Sequence, residues 1–145
     1  MKTFNYTSDY DSSMDKEVIF LCNTINSLPG LKTSGSCCGH NKDIFRIFFT
    51  ILPYQNNEGL FFLTRCTDRR YWKYGDKWSI TLSVADHFDK ILPITFLLES
   101  KDKGEIVYNQ ANDLVKNLEY HLNHKNFIKY YNIDLSKFSI KENIQ

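Results

Sequence analysis

The sequence predicts an α+β fold, a mainly antiparallel sheet with two long helices packed on one face, in a single domain over residues 1–145. Three observations predict it. Apolar residues recur at three- and four-residue steps towards both ends of the chain, apolar runs of strand length fill the middle, and the connections between those runs are short. Short connections favour antiparallel neighbours, because a parallel crossover needs a dozen or more residues. Helix, strands and helix in that order put both helices on one side of the sheet.

Each element has its own signal. Residues 1–12 are a polar lead-in, expected to add an edge strand or stay mobile. Ser13 can cap a helix running to about Ser27, with Val18, Leu21, Cys22, Ile25 and Leu28 on one face and Pro29-Gly30 as its stop. Residues 31–33 begin a strand expected to break at a small-residue loop, residues 34–40. Residues 44–52 and 60–66 read as strands, the second after the turn signal Asn56-Asn57-Glu58-Gly59. Residues 78–84 alternate apolar and polar, the mark of a half-buried strand. Residues 94–99 form a further strand, and residues 101–104 a turn. The second long helix runs from Glu105 to about Lys125, with Ile106, Ala111, Leu114, Val115, Leu118 and Leu122 as its stripe. In the tail, residues 126–145, Tyr130, Tyr131, Ile133, Leu135 and Phe138 are expected to cover a sheet edge or contact another chain.

Composition narrows the function classes. A hydrophobic fraction of 42% with 24% charged residues is that of a chain able to bury a core without disulfides. A net charge of +1 supplies no global field for a long nucleic acid or an anionic membrane. No run approaches the roughly 18 apolar residues of a membrane span, and the first residues carry no basic-then-apolar leader. Cys22, Cys37, Cys38 and Cys66 lack the spacing of a secreted disulfide scaffold, so a cytoplasmic setting is expected.

Candidate chemistry concentrates in the segment Thr33, Ser34, Gly35, Ser36, Cys37, Cys38, Gly39, His40. Glycines let backbone amides approach a ligand, serines add hydroxyls, and a plain turn has no need of paired cysteines. Zinc is disfavoured, because the thiols are adjacent and no second ligand pair follows. A nucleophilic cysteine activated by His40 is possible in kind, though no third group is evident. Non-covalent binding asks least of the residues, and no metal or cofactor is expected. All arginines fall between positions 46 and 70, and Arg65, Arg69 and Arg70 run into Trp72 and Tyr74. Aromatic faces can stack on a nucleobase while arginines hold phosphate. The expectation is therefore a binder of a nucleotide or nucleotide-derived small molecule, contacted by Thr33, Ser34, Ser36, Cys37, Cys38, Gly39, His40 and Arg46 together with Arg65, Arg69, Arg70, Trp72 and Tyr74. A cysteine-dependent hydrolase and a protein–protein module are the alternatives, and self-association through the aromatic hairpin or tail is plausible in kind.

The same segment, preceded by a helix ending Ile25-Asn26, resembles the signature Thr-Thr-Ser-Ser-Cys-Ser-Gly-Arg of the wybutosine-synthesis methyltransferases related to TYW-three. Thr33, Ser36, Cys37 and Gly39 coincide with it, while Ser34, Gly35, Cys38 and His40 depart. The element order is also similar, with residues 93–98 leading into a helix from near Ile106. The resemblance implies the fold, a pocket for a nucleoside-like ligand and, as an alternative function, nucleoside or tRNA methylation. The Ser-Cys-Cys-Gly-His run is also similar to that of small phage and bacterial proteins, a setting in which a binder can act as a sponge for a signal molecule.

Overall fold

Alternation along a strand decides which face of the sheet is buried, and the central strands show it cleanly. In β3 (Arg46–Ile51), Ile47 and Phe49 are fully buried while Arg46 and Phe48 are half-exposed. The computed structural model describes residues 1–5, 16–52, 57–68, 70, 75–83 and 95–142. β3 pairs with β2 (Leu31–Cys37) on one side and β5 (Thr95–Ser100) on the other, and β5 pairs with β4 (Trp78–Ser83). All three pairings are antiparallel, in the order β2-β3-β5-β4. Phe49 of β3 stacks on Phe96 of the neighbouring β5 at 5.6 Å, and Phe45, just before β3, meets Trp78 of β4 edge-on at 5.8 Å, past the intervening β5. Removing such a side chain, as in Phe49→Ala, costs about 3–5 kcal/mol.

Two long helices share that core. α1 (Lys16–Asn26) buries Val18, Leu21, Cys22 and Ile25, the expected face, although the expected cap at Ser13 lies outside the described residues. A third helix, α3 (Ile106–Leu122), buries Val107, Ala111, Leu114, Val115, Leu118 and Leu122 into the same cluster. Ile106, placed on the apolar stripe by its spacing, is instead 56% exposed.

The strand expected at residues 60–66 is a helix, α2 (Glu58–Cys66). Its buried residues Gly59, Phe62, Leu63 and Cys66 follow steps of three, one and three, the helical period. Glu58 in the first turn and Arg65 in the last suit the helix dipole. Gly59 touches the chain end of α1 directly: a Cβ there would collide with the Pro29 carbonyl oxygen. Because α2 leaves the sheet, β5 takes the place beside β3 and β4 becomes an edge.

The lead-in and the tail find each other rather than the main sheet. β1 (Lys2–Phe4) pairs antiparallel with β6 (Ile140–Glu142) in a ribbon of its own, beyond the short helix α4 (Lys125–Tyr130). Phe4, Ile133 and Phe138 join the core, whereas Tyr130 is 80% exposed. Among the described residues no helix is long and apolar enough to cross a membrane.

Candidate functional site

The expected loop is mostly strand. β2 continues through Ser34, Gly35 and Ser36 to Cys37, with Gly35 opposite Phe48, Ser36 opposite Ile47 and Cys37 opposite Arg46. The register shifts between Thr33 and Gly35, so Ser34 is the extra residue of a bulge on an exposed stretch. Thr33 is committed to α1: its N–H donates to Asn26 Oδ1 at 2.8 Å, and Asn26 Nδ2 donates to its Oγ1 at 3.0 Å.

The end of the strand then separates the paired thiols: Cys37 is its last residue and Cys38 caps the turn that follows. Cys37 stands on the face of the sheet that carries Arg46, half-buried, while Cys38 enters the core at 5% exposure. Ser36, on the core face, hydrogen bonds the Cys22 thiol, which burial nevertheless pushes up to about 11. The two sulfurs do, however, receive parallel donors. The Gly39 N–H donates to Cys37 Sγ and the His40 N–H to Cys38 Sγ, each at 3.4 Å. Cys38 Sγ also lies 3.9 Å from His40 Nδ1, and the Tyr108 hydroxyl donates to it at 3.8 Å.

Beyond Cys38 the backbone turns left-handed for three residues: Gly39, His40 and Asn41 have φ of 77°, 52° and 65°. A Cβ at Gly39 would lie 2.8 Å from the Ile44 carbonyl oxygen, so glycine alone fits there. The turn is closed by Lys42 and Asp43, whose N–H groups both donate to the Gly39 carbonyl at 3.0 Å. It also backs onto Gly104, just before α3, where an added Cβ would lie 3.6 Å from the Asn41 carbonyl oxygen. His40 carries its side chain in a backbone region that most L-residues avoid, at about 1 kcal/mol or more, while asparagine tolerates it better at Asn41; both are exposed.

Much of the turn's own backbone is committed within the chain. The N–H groups of Gly39, His40, Lys42, Asp43, Ile44 and Phe45 all have acceptors within the chain, the last two being Asp43 Oδ1 and Ser100 Oγ. What the corner offers a ligand is side chains. Arg46 reaches Asp43 at 3.6 Å, and the Asp43 carboxyl is held below its ordinary value by the Ile44 N–H and then by Arg46 and Lys103. His40, Lys42, Arg46 and Lys103 thus surround one exposed turn beside the start of α3.

Arg65 does not reach this corner. Arg65 lies over the rings of Phe61 and Tyr131 at 5.0 and 5.3 Å. Tyr131 packs on Phe127, which packs on His121 in the last turn of α3, whereas Tyr108 by Cys38 is in its first. At 1.5 Å per residue the two ends are about 20 Å apart. Arg70 holds Asp68 in a fork, Nη2 to Oδ2 at 2.8 Å, which takes the Asp68 carboxyl to about 2. Arg69, Trp72 and Tyr74 lie outside the described residues.

Tyr108 and Lys103 are the corner residues that sequence reasoning missed. They join it from some 60–70 positions away, and only the tertiary fold brings them near. Among the described residues no group of three or more His, Cys, Asp or Glu is placed to hold a metal ion. No protein-family model, curated protein or solved structure matches the chain.

Proposed function

We propose that the chain binds a nucleotide-derived small anion at the corner made by residues 38–46 and the start of α3. His40, Lys42, Arg46 and Lys103 are the contacts to its charged end. The observation that carries the reading is the left-handed turn itself, with φ positive from Gly39 to Asn41 and the exposed His40 at its crest. A non-glycine residue in that conformation costs stability, and such strain gathers at ligand sites. Lys42, Arg46 and Lys103, with Asp43 among them and Glu99 across the strand from Arg46, supply the cationic contacts for an anion. Calorimetric titration with nucleoside mono- and cyclic phosphates tests it: wild type should bind, and Arg46→Ala should weaken binding at least tenfold. Equal binding by wild type and Arg46→Ala, or none by either, removes the corner as the site.

A second reading is favoured by one distance, the 3.9 Å between Cys38 Sγ and His40 Nδ1, with the Tyr108 hydroxyl as a further donor. Thiolate and imidazole so placed can act as nucleophile and acid–base partner in a cysteine-dependent enzyme. Cys38 is 5% exposed, so such chemistry requires the turn to open. Cys38→Ser separates the readings, leaving simple binding in place and ending thiol catalysis.

A further inference from the structure

At the opposite end of α3 a groove of about 390 Å³ opens between the β1–β6 ribbon and α4. Its apolar walls come from Leu122, Ile128 and Leu135, and its lysines are Lys2, Lys125 and Lys129. Among the described residues none of the three ammonium groups has a carboxylate within ion-pair distance. Glu142, the one carboxylate along the groove and the cross-strand neighbour of Lys2, contacts the Met1 amino group at 3.7 Å instead. Lys125 and Lys129 are four residues apart on α4, a spacing at which like charges repel and destabilise a helix. The fold holds the rim rigid, because Asn123 accepts the Lys2 N–H at 2.8 Å and donates to the Lys2 carbonyl at 2.9 Å.

Three lysines gathered on one concavity with a single carboxylate, itself turned to the Met1 amino group, break the local rules that a stability-driven sequence follows, and such breaks fall at functional sites. We infer that this groove binds a phosphomonoester carried on an apolar body, with the phosphate between Lys2, Lys125 and Lys129 and the body on the apolar walls. A doubly charged phosphate suits several point-charge donors better than a single carboxylate does. The volume lies within the range of small-molecule sites. This site is independent of the corner at Cys38 and stands or falls separately.

Titration of isotopically labelled protein with 1-naphthyl phosphate, followed by amide NMR shifts, tests the inference. Saturable shifts are expected at Asn123, Lys125, Ile128 and Lys129, with affinity at least tenfold weaker in the double variant Lys125→Gln, Lys129→Gln and weaker again at high salt. Inorganic phosphate and 1-naphthol should each bind at least tenfold more weakly than the joined molecule. Lys125→Glu, which puts an acid in the first turn of α4 and replaces the repulsion with an attraction to Lys129, should raise the thermal midpoint while abolishing the shifts. Absence of saturable shifts, equal affinity in the double variant, equal binding of either half-molecule, or a lowered midpoint in Lys125→Glu each overturns it.

Discussion

Asn26 hydrogen bonds Thr33 twice, accepting its N–H at 2.8 Å and donating to its hydroxyl at 3.0 Å. The last residue of α1 thereby satisfies the outward-facing backbone of β2, which is an edge of the sheet. An uncovered edge invites pairing with another chain, and a side-chain clamp is one way to prevent it. The coincidence of Ile25-Asn26 and Thr33 with a known signature thus has a structural explanation that needs no ligand.

Asn26→Ala should therefore lower stability by about 1 kcal/mol, the net worth of a hydrogen bond, and promote association. Denaturant melts measure the first effect and light scattering at rising concentration the second. An unchanged midpoint with a monodisperse solution refutes the clamp.

Gly59 gives a steric prediction. The Pro29 carbonyl oxygen occupies the space a Cβ would need, and both partners are backbone on packed elements. Gly59→Ala should destabilise by about 1–3 kcal/mol, despite the helix propensity gained by alanine. A thermal midpoint equal to or above wild type contradicts this packing of α2.

How much of this was legible in the sequence follows from what each pattern depends on. α1 and α3 are legible from helical spacing, β4 from alternation in its sequence, and β3 and β5 as apolar runs of strand length. Residues 60–66 misled because a short apolar run has no visible alternation, and the decisive clue was Gly59, whose burial only tertiary packing reveals. Cys37 and Cys38 read as a pair in the sequence, yet Cys37 ends β2 while Cys38 begins the turn and enters the core. The cluster around Cys38 was half legible, since His40 is local while Tyr108 arrives from α3.

Alkaline pH should destabilise the fold through its buried thiols. Cys22 keeps its proton in the folded state up to about 11, against an ordinary 9.0, and burial raises Cys66 well above that ordinary value too. The unfolded chain therefore releases protons first as pH rises past 9.0. Stability is full below 9.0 and falls between there and 11, by about 3 kcal/mol for Cys22 alone. Urea melts of wild type and Cys22→Ala across that window should converge as pH rises. Parallel curves show that the thiol does not titrate as described.

Acid should act through His121. Its Nδ1 lies 2.8 Å from the Asn117 carbonyl within the core, and burial lowers its pKa below the ordinary 6.5, with His124 adding to the effect against that hydrogen bond. As pH falls through 6.5 the unfolded chain takes up the proton first. Stability present above that point should decline below it, and His121→Phe should flatten the decline. A pH-independent midpoint from 7.5 to 5 excludes His121 as the source.

His40 allows the strain in the turn to be tested against its use. With φ of 52° the residue sits where glycine is at ease, so His40→Gly should hold or raise stability, by up to about 1 kcal/mol. The same change removes the imidazole that lies 3.9 Å from Cys38 Sγ, and so should weaken anion binding at the corner. A variant at least as stable as wild type but poorer in binding means that the histidine is kept for its chemistry despite its backbone. A clear loss of stability instead means that the side chain supports the fold, and the strain then carries no message about ligands. Thermal melts and titrations on one preparation decide between these outcomes.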